Sequence, residues 1–168
     1  MTGVIVGDLV KWLAATSLSH AIVTAGWIVP ALQTTHILGI AVLVSSAVIV
    51  DLRLWGALQR DVALGDVARR FLPPIWPTVL VLLLTGGLLI VGEPRRSLLN
   101  TTFFLKMALL AFALVLTVVL QWTLSSAPEF WEKNRGRRAA ARFAATLSIL
   151  VWCCVIFAGR WIAYTQVG

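Results

Sequence analysis

Cysteine, histidine, methionine and acidic side chains are all scarce in this chain, and each scarcity removes a class of protein. The two cysteines, Cys153 and Cys154, are adjacent inside an apolar run and cannot build a disulfide framework. They read as small buried hydrophobes, or as soft metal ligands if other helices supply partners. Two histidines, His20 and His36, leave no Ser/His/acid set and no metalloprotease motif, and no glycine loop fit to cradle phosphate is present. A hydrolase is therefore not expected, and the residues lean away from an enzyme without deciding it. The seven acids are outnumbered by fourteen Lys and Arg, for a net charge of +7. That excess lies in short segments between apolar blocks, with no soluble module to carry a nucleic-acid surface, so it reads as membrane orientation and no nucleic-acid partner is expected.

What is abundant is hydrocarbon. Hydrophobic residues make up 60% of the chain and charged ones 12%, with a mean hydropathy of +0.92, against roughly half and a quarter in soluble domains. The apolar residues fall in blocks near the ~20 residues that cross a ~30 Å hydrocarbon layer. The expectation is an all-α integral membrane four-helix bundle, a single domain over residues 1–168, in contact with the lipid bilayer. Spans are expected at about 28–50, 77–91, 102–122 and 143–164.

Residues 1–27 are mixed, with Asp8, Lys11, Ser17, Ser19 and His20 among the apolar residues, and Asp8 precedes Lys11, the wrong order for a cleaved signal peptide. The segment reads as an interfacial amphipathic helix with Trp12 and Trp27 at headgroup level; a fifth, weakly apolar span is the alternative. Pro30 is tolerable in the first turn of span one, and Gly86-Gly87 allows close helix approach in span two. Nine Lys and Arg lie in the 51–73 and 125–142 connections and five on the opposite side (Lys11, Arg95, Arg96, Lys106 and Arg160). The richer side is expected to be cytoplasmic, which puts both termini outside. Asp51 and Arg53, two residues apart, cannot face each other on a helix and are expected to reach separate partners at the membrane surface, anchoring the end of span one. Glu129 and Glu132 read as solvated partners of the arginines in their loop.

The chemistry-bearing residues gather in the outer half. His36 lies eight residues into span one, about 12 Å deep, and Lys106 and Arg160 lie about 6 Å deep in spans three and four. Gln33 is one turn from His36. An intramembrane histidine needs a partner, because hydrocarbon leaves its ring unsatisfied. One reading is haem b, bound through His36, with Lys106, Arg160 or the Arg95-Arg96 turn beside the propionates and the second axial position taken by His20, by Met107 or by a symmetry-related chain, or left open. Copper on His36, Met107 and Cys153 or Cys154 is an alternative, weakened by the presence of only Met1 and Met107 as methionines. A non-catalytic subunit that assembles with itself or within a larger membrane complex is another, through small residues such as Gly86, Gly87 and Ala139-Ala140-Ala141. Small-solute transport is the last.

Several short motifs point to a family. His36-Ile37-Leu38-Gly39, Asp51-Leu52-Arg53-Leu54-Trp55-Gly56, Leu72-Pro73, Thr85-Gly86, Asn100 through Phe104 to Lys106, and Gly159-Arg160-Trp161-Ile162-Ala163-Tyr164 together resemble an uncharacterised family of small bacterial inner-membrane proteins. The resemblance covers nearly the whole chain and implies four spans in a bacterial inner membrane without a settled activity. It also implies a glutamate three residues before the histidine, where this chain has Gln33. That departure speaks against a proton relay or hard-metal site through that position. A remoter likeness to copper-resistance membrane proteins and small b-type cytochromes is analogy of helix number and one histidine.

Overall fold

The computed structural model describes residues 2–58, 61–131, 133–162 and 164–165. Arg60, Glu132 and Ala163, and the side chain of Glu129, lie outside the described residues. The described residues form helices α1 (Thr2–Ala14), α2 (Ser17–Thr24), α3 (Ile28–Trp55), α4 (Leu64–Phe71), α5 (Ile75–Gly92), α6 (Pro94–Leu98), α7 (Thr101–Ser126) and α8 (Arg135–Trp161), with a 3-10 turn at Pro128–Trp131 and no strand. Four stretches, Ile28–Trp55, Leu64–Gly92, Thr101–Leu124 and Arg135–Trp161, are long and apolar enough to cross a membrane. The chain is a multi-pass membrane protein built as an all-α bundle.

The N-terminal segment differs from the expected single helix. The Thr16 hydroxyl donates to the Leu13 carbonyl at 2.7 Å and accepts from the Ser19 amide at 3.2 Å, closing α1 and capping α2. At ~1.5 Å per residue, helices of 13 and 8 residues span about 20 and 12 Å, so neither supplies a fifth crossing. Trp12 and Trp27 are 65% and 72% exposed.

Helix ends explain why the long helices outrun the expected spans. The αL conformation at Gly56, φ 84°, stops α3 five residues beyond the expected Val50, with Gly56 and Ala57 amides returning to the Arg53 and Leu52 carbonyls. This is the glycine-closed helix end that satisfies last-turn carbonyls. Asn134 caps α8 by accepting from the Arg137 amide at 2.9 Å, so α8 starts eight residues before Phe143. Apart from Gly136, its first two turns are arginines and alanines, strong helix formers that need no hydrocarbon. Within the apolar helices Thr34, Thr78, Thr85, Thr117, Thr123 and Thr146 each bond the carbonyl four residues back, which satisfies these six hydroxyls in lipid.

Two sequential hairpins make up the bundle. Helix α3 packs on α5, α7 on α8, and the hairpins meet where α3 lies along α8. The apolar windows of α3 and α8 are 44% and 33% buried, against 17% for those containing α5 and α7, so α3 and α8 are central. At the end carrying the basic connections, here the basic end, α4 packs on α3 and α7 through Leu64, Val67 and Ala68, while Asp66 and Arg69 pair at 2.8 Å on its exposed face. Trp76 of α5 donates to Gln121 of α7 at 2.8 Å. At the other end, the terminal end, α1 packs on α6, α2 on α5, and Asn100 ties the start of α7 to Thr165.

The core is lopsided. Leu43, Val50, Leu54, Leu64, Leu72, Ile75, Leu120, Leu124 and Trp152 fill the middle and the basic end. Toward the terminal end the buried positions of the four long helices are Gly39, Thr85, Gly92, Val155 and Ala158, and no residue of α7 from Thr101 to Phe112 is buried.

Candidate functional site

His36 sits in that thinly packed half, on the face of α3 that meets α5. Its Nδ1 is 2.8 Å from the Thr85 hydroxyl oxygen. Thr85 is itself 2.8 Å from the Val81 carbonyl, one turn back on α5. A hydroxyl has a single proton. With that proton given to Val81, the Thr85 oxygen accepts, the imidazole carries its proton on Nδ1, and Nε2 is left as a bare lone pair. An imidazole fixed in this way by a second residue is the form that binds a metal.

Glycines let the helices close around the ring. A Cβ at Gly86 would stand 3.3 Å from His36 Cε1, and one at Gly39 would stand 2.9 Å from Leu82 Cδ2. The H-x-L-G motif therefore places the histidine and, one turn on, the glycine that takes Leu82. Lys106 of α7 lies over Gly159 of α8, where a Cβ would be 3.5 Å from Nζ. Lys106 is half-buried, and its charge acts on His36. The two contacts, His36 with Thr85 and Gly86 between α3 and α5 and Lys106 with Gly159 between α7 and α8, both lie in the terminal half of the bundle.

The remaining sequence candidates lie elsewhere. Arg160 is exposed and turns to Tyr164, with Nη2 3.2 Å from the phenol oxygen and its guanidinium 5.4 Å from the ring centroid. Gln33 is exposed. His20 lines a separate pocket with Ser19, Val23, Gly92, Glu93, Arg95 and Arg96. The seven residues from Thr85 to Gly92 on α5 amount to about 10 Å of rise, so that pocket is nearer the terminal end than His36. Met107 is 40% exposed. Cys153 and Cys154 are both exposed, beside the inward-facing Trp152, and not buried as small hydrophobes. Among the described residues no three His, Cys, Asp or Glu gather where they could hold a metal ion.

Asp51 and Arg53 do reach separate partners. Arg53 donates from Nε and Nη2 to the Val62 carbonyl at 3.0 and 2.9 Å, fastening the connection to α3, while Asp51 faces Ser148 on α8. Thr85 entered the sequence reading only through the Thr85-Gly86 motif, and its pairing with His36 across 49 residues carries no local signal. Asn100 is similar. Its side chain caps α7 by accepting from the Thr102 amide at 2.9 Å and donates to the Thr165 carbonyl and hydroxyl at 3.0 and 2.9 Å.

No curated protein and no solved structure matches the chain. The match to a family of unknown function (DUF6644) runs over residues 9–165, nearly the entire length, and the chain belongs to that family.

Proposed function

We propose that this is a haem-b-binding membrane protein of the electron-transfer type, with the cofactor in the terminal half of the bundle and His36 as its single axial ligand. The observation that carries the reading is the fixed imidazole, its Nδ1 engaged by Thr85 and its Nε2 without a partner among the described residues, in the half of the bundle where the four long helices bury no side chain larger than valine. Lys106 supplies a positive charge for a propionate. Gln33 and Arg160 are exposed, Arg160 turning to Tyr164, and are left out of the cofactor's contacts. His20 and Met107 are left out of the ligand set, since His20 belongs to another pocket and Met107 is exposed. Haem, when bound, supplies one-electron chemistry. The chain's own work is to present one lone pair, neutralise a carboxylate and exclude water. A copper site has no comparable support, because both cysteines are exposed.

The protein purified from haem-supplemented cells should show a Soret band, which His36→Ala abolishes. No Soret band in the wild type after supplementation would sink the reading. By the excess of Lys and Arg on the basic end, that end faces the cytoplasm of a bacterial inner membrane and both termini lie outside. Reporter fusions to the C-terminus, active only outside, test this. The low coverage of α5 and α7 favours a second reading, a surface for another copy or another membrane subunit, and a bare monomer by native mass spectrometry in mild detergent would count against it.

A further inference from the structure

Where the two hairpins meet, buried polar groups are left incomplete. Asp51, near the basic end of α3, is 2% exposed, and its carboxyl interacts with the Ser148 hydroxyl on α8. Its Oδ2 meets no donor. One turn along α8 from Ser148, Trp152 is 3% exposed and its indole N–H meets no acceptor.

No cation stands opposite the carboxyl among the described residues. Arg53 is about 200° round α3, with its Nε and Nη2 on the Val62 carbonyl. On α8 the nearest charged residue is Arg142, six residues toward the basic end and 5.9 Å from the centroid of the Trp55 ring. On α4 Asp66 pairs with Arg69 on the exposed face, and Arg70 lies 5.5 Å from the Phe71 ring centroid. Helix α7 has no charged residue after Lys106. An ionised carboxylate removed from water without a cation is strongly disfavoured, whereas a carboxylic acid gives up only hydrogen bonds to water.

We infer that Asp51 holds a proton as a neutral carboxylic acid and that the seam between α3 and α8 is a proton-binding site reached from the basic end. The site takes a proton from hydronium onto the carboxylate and releases water. The unpartnered Oδ2 and the indole N–H both lie on the seam between α3 and α8. A pocket at the basic end, lined among others by Arg53, Leu54, Trp55, Arg138, Ala141 and Arg142, begins within one helical turn of Asp51 and offers the route from water past those guanidinium groups. The site is independent of any cofactor, since His36 is fifteen residues, about 22 Å, away along α3.

Infrared difference spectroscopy on the full chain in lipid nanodiscs tests this, and it needs no haem. With only seven Asp and Glu in the chain, and Asp66 and Glu93 in exposed ion pairs, a protonated-carboxyl stretch at neutral pH has one natural source. The wild type should show that band, with the downshift in D2O that marks an exchangeable acid proton, and D51N should remove it. If D51N does not fold, D51E should move the band instead. Absence of a protonated-carboxyl band in the folded wild type at neutral pH overturns the proposal, as does a band that survives unchanged in folded D51N or D51E.

Discussion

Replacing Leu43 and Leu64 by alanine, one at a time, separates two terms that are normally measured together. Both side chains are buried, at 1% and 3% exposed, but Leu43 is inside a membrane-spanning helix and Leu64 is on α4, whose opposite face carries an ion pair in water. A leucine truncated to alanine in a water-soluble core loses its transfer free energy, ~0.8 kcal/mol per methylene-sized group or about 2.4 kcal/mol for three. It also leaves a cavity costing ~24 cal/mol per Å3, so about 1.9 kcal/mol if all of the ~80 Å3 remains empty. For Leu43 the transfer term nearly vanishes, because lipid is as apolar as the core and the unfolded helix remains in lipid. The expected loss is therefore about 1–2 kcal/mol for Leu43→Ala and about 3–4 kcal/mol for Leu64→Ala. Equilibrium unfolding in mixed micelles with rising SDS, followed by tryptophan fluorescence, measures both. A Leu43→Ala cost equal to or above that of Leu64→Ala would refute the placement of α3 in lipid and α4 at its edge.

Gly56→Ala should cost about 1 kcal/mol in the same unfolding assay, because alanine is strained at the φ of 84° that closes α3. Asn100→Ala removes the α7 cap and two bonds to Thr165; a loss of about 2 kcal/mol should be accompanied by faster carboxypeptidase trimming of the C-terminus. Thr85→Val, nearly isosteric, deprives His36 Nδ1 of its acceptor. It should cost about 0.6 kcal/mol and convert a single imidazole tautomer, read from the two ring 15N shifts, into a mixture.

Much of the architecture was legible because lipid makes length and apolarity decisive. The four crossings, the separate fates of Asp51 and Arg53, and the placing of His36 and Lys106 in the same half of the bundle all follow from local pattern and depth. What was missed lies where water returns. Helix α4 looked like a connection because its Asp66, Arg69 and Arg70 hide the Leu64, Val67 and Ala68 stripe, and α8 looked shorter because Arg135 to Arg142 resembled a loop. The break at Thr16 depends on a single hydroxyl bonding both sides of it. In the site, the partner of His36 could not be read, since choosing Thr85 requires knowing that α5 packs on α3. The outward orientation of Arg160 was open to reading, because Tyr164, to which it turns, stands one helical turn farther along the chain, where side chains meet.

The division into two hairpins bears on how the molecule is made. The first pair, α3 with α5, is complete in the chain long before α8 is synthesised. During that interval Asp51 has neither Ser148 nor the indole of Trp152 beside it, and must sit at the edge of the bilayer with lipid and headgroup water as its surroundings. Its place near the end of α3 keeps that wait inexpensive, whereas an aspartate at the bilayer centre would oppose insertion by ~2.5–3.5 kcal/mol. Docking of the second pair then takes the carboxyl out of contact with lipid, so the last event in assembly is also the one that creates the buried polar seam.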